Sequence, residues 1–435
     1  MGQENWKFDT RKVRAGYDPK EHNNAVSVPI YQSTAFELGD TERALRLFSF
    51  SEASPIYSRL ANPTVAVLEQ RAASLEGAAG AVATGSGMAA VSYALLNAAG
   101  KGGRILASPR LYGGSFDSFQ KIYPDFGIGV DLVEDADDPA SYEKAIRPET
   151  RAIFVESISN PNSAVTDLEA VAKVAHAHGI PLIVDNTLAT PYLLRPFDFG
   201  ADVVVYSATK ALTGHGNVIA GLVLESGKFN WANGKFPQFE TPLYFLRDVQ
   251  GNLRSIEQVF PEFPFTGRIR AIYLNYLGAA LGPFDAYLVL LGLETLSERV
   301  DKQVANTDKI IRYLEGRKDG VSWVKHPHAA GSPYRKLADR YLPKGAGSVL
   351  TFGFKGTAEQ SDRFLNSVKL FSYHPNIGDA RSLIINSPKT THGELTPEQQ
   401  RNAGLAPESI RLSIGLEDAD DLTADLDQAF QKALS

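Results

Sequence analysis

Pro181-Leu182-Ile183-Val184-Asp185-Asn186-Thr187 and, shortly after, Val203-Val204-Val205-Tyr206-Ser207-Ala208-Thr209-Lys210 are the two stretches on which the fold turns. Each opens as a short apolar run rich in β-branched residues and gives way to polar residues, so each reads as a buried strand running into a loop. Further strand candidates flank them: Ala81 to Ala83, Arg104 to Ala107, Ala152 to Glu156 and Ala220 to Leu224. Helical stretches fill the gaps. Leu168 to Ala177 carries Val171, Val174 and Ala175 on one stripe, with Gly179 to end it and Pro181 just beyond. Strands alternating with helices at this spacing predict an α/β domain built on a parallel sheet with both faces covered. Ligands bind at the carboxyl ends of such strands, which is where Asp185 and Lys210 fall.

Outward from that domain the pattern changes. An arm of about 60 residues precedes it, with Pro29, Pro55 and Pro63 and little sustained periodicity, and it must pack on something to be ordered. Residues 226 to 265 are aromatic and irregular, and apolar helical patterns run from about Arg268 to Arg317. A smaller unit closes the chain, with strands near Ser348 to Phe354 and Ile410 to Ile414. Its last helix begins near Asp421 and carries Leu422, Leu426, Ala429, Phe430 and Ala433 on one face. The expected division is 1–60 as an arm against a neighbouring subunit, 61–265 as the ligand-binding domain and 266–435 as a C-terminal α/β domain.

Composition narrows the classes of function. The 435 residues are 43% apolar, and 44 basic against 50 acidic residues leave a net charge of −6 with no strong block of either sign. Nucleic-acid and membrane partners are therefore not expected. The start, Met1 to Lys7, has no apolar signal core, and Trp6 stands where a myristoylation motif needs Ser or Thr, so a cytoplasmic location is expected. Residues 77–100 and 271–293 are apolar but interrupted, the first by Thr84-Gly85-Ser86-Gly87 and the second by Asn275, Pro283 and Asp285, and read as core. No cysteine is present, which removes disulfides, thiolate nucleophiles and cysteine metal sites. Methionine occurs only at Met1 and Met88, as suits a protein made when sulfur is scarce, although genomic bias would do the same.

The chemistry-bearing residues begin with Thr84-Gly85-Ser86-Gly87-Met88-Ala89-Ala90, glycines between a strand and a helix, where exposed amides would hold a phosphate. Taken alone, the segment also fits a structural turn or a dinucleotide fingerprint, and hence a nicotinamide-dependent oxidoreductase. That fingerprint expects an acid about 20 positions later, and the next strand, Arg104-Ile105-Leu106-Ala107-Ser108, offers none. A strand-end Asp alone is usually a cap and a Lys alone usually solvated. Together they form a set: a pyridoxal cofactor needs a lysine for its Schiff base, a carboxylate for the ring nitrogen, and phosphate donors from hydroxyls and amides. Lys210, Asp185, Ser207, Thr209 and the Gly87 and Met88 amides supply it.

On these residues the sequence resembles the Cys/Met metabolism family of pyridoxal-phosphate enzymes, in its O-acetylhomoserine sulfhydrylase branch. The resemblance covers nearly the whole chain. Its specific pieces are Tyr57-Ser58-Arg59 with Asn62-Pro63, Gly85-Ser86-Gly87-Met88, Ser159-Asn160-Pro161, Val184-Asp185-Asn186-Thr187, Tyr206-Ser207-Ala208-Thr209-Lys210 and Arg411-Leu412-Ser413-Ile414-Gly415. It implies a fold-type-I transferase architecture, with a mostly parallel large-domain sheet, and pyridoxal 5′-phosphate held on Lys210. By the same resemblance Asp185 pairs with the ring nitrogen, and Gly87, Met88, Ser207 and Thr209 bind the phosphate. Tyr112 stacks on the ring, Asn160 lies near its phenolic oxygen, and Tyr57 and Arg59 reach the phosphate of a neighbouring subunit. Tyr112 also reads as an ordinary core aromatic.

Arg411 has a reading of its own. Apolar residues alternate in Ile410-Arg411-Leu412-Ser413-Ile414, so Arg411 points away from their buried face, free to meet a substrate carboxylate or a surface acid. The family places Arg411, Asn376 and Tyr57 at the substrate. The implied reaction is γ-replacement on O-acetyl-L-homoserine by sulfide or a thiol, in a homotetramer or at least a dimer with shared sites. A γ-lyase or cystathionine γ-synthase of the same family is the alternative. Tyr373-His374-Pro375 and Asn386-Ser387-Pro388-Lys389 depart from the commoner pattern and bear on that choice. His176 and His178 cannot share a helix face, His215 and His392 sit in loops, and no metal site is expected.

Overall fold

The computed structural model describes residues 5–390, 393, 396, 400 and 405–435. Strands β1 (Gly80–Thr84), β2 (Arg104–Ala107), β3 (Gly129–Leu132), β4 (Thr150–Glu156), β5 (Leu182–Asp185), β6 (Val203–Ser207) and β7 (Gly221–Glu225) form one sheet in the order β1-β7-β6-β5-β4-β2-β3. β2, β3, β4, β5 and β6 pair in parallel, while β7 runs antiparallel to both of its neighbours. The sheet is thus mostly parallel, as expected, and the one reversal has a local cause. A parallel return needs a crossover, usually a helix, and the connection 208–220 between β6 and β7 contains none.

Period-2 alternation explains why the central strands are apolar at nearly every position. Ile153, Val155, Leu182, Val184 and Val204 face one buried cluster, and Ala152, Phe154, Ile183, Val203 and Val205 face the other. Helices cover both faces. Pro63–Glu76 starts on an Asn62 side chain that accepts from the Thr64 amide, takes Pro63 as its first residue and ends at Gly77 with φ +81°. Gly87–Ala99 lies on the opposite face, with Ala90, Val91, Ala94 and Leu95 in the second cluster.

After a small hairpin, β8 (Leu243–Arg247) and β9 (Leu253–Arg254), a second sheet forms from β10 (Val321–Lys325), β11 (Val349–Phe354), β12 (Ser372–Tyr373), β13 (Leu383–Ile385) and β14 (Ser409–Ser413). Its order is β10-β11-β14-β13-β12, and β12 pairs with β13 in parallel. The helix Ala419–Leu434 packs Leu422, Leu426, Ala429 and Phe430 into its core.

Packing shifts the division expected at residue 266. Leu281, Val289, Leu290 and Leu293, and then Leu296, Val300 and Val304, join the core of the large sheet. Ile310, Ile311 and Leu314 join the core of the small one. A single helix, Leu296–Gly316, therefore spans both cores, so the transition falls within it. Among the described residues no helix is long and apolar enough to cross a membrane.

Candidate active site

The carboxyl ends of β4, β5 and β6 open into a cavity of about 380 Å³, closed on the far side by the C-terminal unit. Its walls include Gly87, Met88, Tyr112, Glu156, Asn160, Asp185, Ser207, Thr209, Lys210 and Arg411. Alternation continues the parity of the strands: Glu156 follows Phe154, Asp185 follows Ile183 and Ser207 follows Val205, so all three point to the face covered by the helix Gly87–Ala99. Glu156 and Asp185 are direct neighbours in the β4–β5 register.

The helix start is built for an anion. Ser86 caps it by accepting from the Ala89 amide at 3.1 Å, which leaves the Gly87 and Met88 amides directed at the cavity end. Gly87 is required there: a Cβ would come within 2.5 Å of the Ser207 Cβ. Glycine thus lets the helix start approach β6, and Ser207 joins the two amides. Thr209 lines the same end, but its hydroxyl is engaged with Ala220, donating to the carbonyl at 3.2 Å and accepting from the amide at 2.9 Å.

Across the cavity, Lys210 Nζ donates to the Asn376 side-chain oxygen. Asn376 does not line the cavity; it reaches the site through this bond and through its carbonyl, which accepts from Arg411 Nη2 at 3.0 Å. Arg411 Nη1 donates to Asn160 Oδ1 at 3.1 Å, and its Nε has no partner. Arg411 is 3% exposed and meets no carboxylate among the described residues, so the surface salt-bridge alternative does not hold. Ile410 and Leu412 fill the small core while Arg411 takes the opposite face, as the alternation requires, and that face is buried against the large unit rather than wet. Burial and the Arg411 charge together pull the Lys210 amine down to about 8.

Asp185 accepts from the Thr187 amide at 3.0 Å, and burial raises its pKa above the ordinary carboxylate range. Among the described residues no cation is paired with it, so a cationic ring nitrogen would complete it. The residues therefore fit pyridoxal 5′-phosphate: an amine of lowered pKa, a carboxylate with no cationic partner among the described residues, and an amide-and-hydroxyl cradle in one cavity. Tyr112 stands at the rim, 45% exposed, and so is not the core aromatic it could have been.

Two sequence candidates lie elsewhere. Tyr57 is 40% exposed with the Arg59 guanidinium 5.1 Å from its ring centre, and neither lines this chain's cavity. The histidines are held structurally: His176 by Asp202 at 2.9 Å, His178 by Glu143 at 2.7 Å and His215 by the Thr213 carbonyl at 2.6 Å. His392 lies outside the described residues. Among the described residues no group of three or more His, Cys, Asp or Glu could hold a metal ion. Sequence reasoning overlooked Glu156. Its signal was present, an acid ending a buried strand beside the one that ends in Asp185.

The family described as Cys/Met metabolism PLP-dependent enzyme matches residues 9–431. The chain is 42% identical to a protein named Sulfhydrylase FUB7 from Gibberella moniliformis over 429 residues, 98% of each chain. It is 40% identical over 436 residues to an O-acetyl-L-homoserine sulfhydrylase from Leptospira meyeri, covering 98% of this chain and 97% of the other. A crystal structure from Campylobacter jejuni, described as an O-acetylhomoserine (thiol)-lyase carrying N′-pyridoxyl-lysine-5′-monophosphate, superposes with a TM-score of 0.92 at 38% identity, over 98% of this chain and all of that one.

Proposed function

Since the chain belongs to the Cys/Met metabolism family of PLP-dependent enzymes, we propose that it replaces the acetoxy group of O-acetyl-L-homoserine by sulfide or a small thiol, giving homocysteine or its analogue and acetate. The convergence of Lys210, Asp185 and Arg411 on one cavity carries this reading. Lys210, Asp185, Asn160, Tyr112 and the cradle of Gly87, Met88, Ser207 and Thr209 would hold the cofactor. When bound there, pyridoxal 5′-phosphate would supply an electron sink that acidifies first the hydrogen on the amino-bearing carbon and then those on the carbon beside it.

The protein residues do the rest. Asp185 would keep the ring nitrogen protonated, and among the described residues no other cation shares its carboxylate. Arg411 fixes the α-carboxylate, having no acid to satisfy among the described residues, and the Asn376 segment holds Arg411 in place. That grip turns the Cα hydrogen toward Lys210. With its amine near 8 rather than 10.5, Lys210 is in part neutral at physiological pH and can take a proton from Cα and later one from Cβ. Acetate then leaves from Cγ, and the sulfur nucleophile adds at the same carbon while the protons return to Cβ and Cα.

Tyr57 and Arg59 are read as serving the cofactor phosphate of a second copy. Their exposure beside each other, away from this chain's cavity, supports an assembly of at least a dimer and, following the family, a homotetramer. A cytoplasmic location accompanies this reading.

The test is incubation of the holoenzyme with O-acetyl-L-homoserine, with and without sulfide. Homocysteine formed only with sulfide is expected. Ketobutyrate and ammonia released at a comparable rate without sulfide would replace the transferase by a γ-lyase.

A further inference from the structure

Glu156 is 4% exposed, ends β4 and lines the cavity, yet nothing in the reaction above uses it. Its two oxygens serve different parts of the chain. Oε1 accepts from the Tyr112 amide at 2.6 Å, and Oε2 accepts from the Asn160 amide at 3.0 Å. Tyr112 caps the helix Gly113–Lys121 that follows β2, whereas Asn160 lies in the loop after β4. Two N–H donors from separate segments need a side chain that accepts at both ends, and only a carboxylate does so. Glutamine would turn its NH2 against one of the two amides and leave a buried donor unpaired.

We propose that Glu156 is a positioning residue that sets Tyr112 and Asn160, the two groups placed at the face and edge of the cofactor ring, relative to Asp185 and Lys210. This rests on the pyridoxal-phosphate reading of the site. The bonds leading from Glu156 are continuous. From the Asn160 amide the path runs through Asn160 Oδ1 to Arg411, through the Asn376 carbonyl to the Asn376 side chain, and so to Lys210. On the other side, the Tyr112 ring rests over Gly114, where a Cβ would come within 2.6 Å of it, so the ring is confined from below while its backbone is tied to Glu156. Burial and the neighbouring Asp185 both push the Glu156 carboxyl upward, and the two amides oppose that push.

A second buried carboxylate supplies the control. Glu225 accepts from the Phe265 amide, the Trp231 indole, and the Thr266 amide and hydroxyl, and it does not line the cavity. It ties secondary structure together in the same manner, but away from the site.

The experiment compares wild type, Glu156→Gln and Glu225→Gln by visible circular dichroism of the bound cofactor, by the cofactor dissociation constant, and by thermal melting. Glu156→Gln is expected to weaken cofactor binding by about tenfold or more and to lose most of the visible dichroism, because Tyr112 is no longer fixed. Glu225→Gln is expected to lower the melting temperature and leave the dichroism unchanged. If Glu156→Gln does not fold, Glu156→Asp, whose carboxylate is one methylene short of spanning both amides, is measured in its place with the same expectation. Wild-type affinity and dichroism in the folded Glu156 variant would overturn the assignment, as would an equal loss of dichroism in Glu225→Gln. Failure of the wild type to take up pyridoxal phosphate would instead sink the underlying reading of the site.

Discussion

The cluster at the ends of β4, β5 and β6 and the segment around Tyr57 and Arg59 both carry residues assigned to one cofactor, yet the chain treats them oppositely. Asp185, Ser207, Lys210 and Arg411 converge in one cavity through the topology of a single chain. Tyr57 and Arg59 stack on each other in an exposed arm and meet none of that cavity. The first group is organised by folding. The second is proposed to act only on association with another copy, and each prediction tests one side of that division.

The largest effect is expected within the fold-organised group. Lys210→Ala removes both the attachment point and the base, and should reduce turnover by about ten-thousandfold with a melting temperature close to wild type. Turnover at wild-type rate would remove Lys210 from the mechanism.

Next comes the association-dependent pair. Arg59→Ala should weaken cofactor binding by about 100-fold, through loss of a charged contact to phosphate. Unfolding and refolding it together with Lys210→Ala should produce hybrids that recover, at limiting cofactor, activity neither parent shows there, up to about a quarter of wild-type sites in a randomly mixed dimer. No recovery in a mixture shown to contain hybrids would place the whole site in one chain.

Arg411→Lys keeps the charge but not the planar fork, and should cost about 2 kcal/mol, roughly thirtyfold in kcat/KM. An unchanged kcat/KM would mean that the substrate carboxylate binds elsewhere. The smallest effect concerns pH. The amine must be neutral to capture the cofactor, and burial with Arg411 lowers its pKa, so the rate of reconstitution of the apoprotein should rise with pH through a midpoint near 8. A stopped-flow profile that rises only above 10 would show that neither burial nor Arg411 acts on Lys210.

Most of the lining of the candidate cavity was legible in the sequence because parallel strands deliver their ends to one place. Arg104–Ala107 and Leu168–Ala177 have the bounds expected from pattern alone, and the alternation around Arg411 gave its direction correctly. What stayed hidden depends on tertiary partners. β3 is a short edge strand whose Leu132 is 40% exposed, so it lacks the apolar run that marks its neighbours. The reversal of β7 depends on how 208–220 folds around Lys210, and the shared helix Leu296–Gly316 depends on which core each of its turns meets. Glu156 shows in the sequence as an acid at a strand end, but its two partners are backbone amides, which leave no mark there.

Reducing the pyridoxal-phosphate-loaded protein with borohydride and locating the pyridoxyl group by peptide mass spectrometry decides whether position 210 is where folding has placed the chemistry. One modified peptide, carrying the group on Lys210, is expected. A pyridoxyl group on another lysine, or on none, would contradict the assignment of this cavity as the active site.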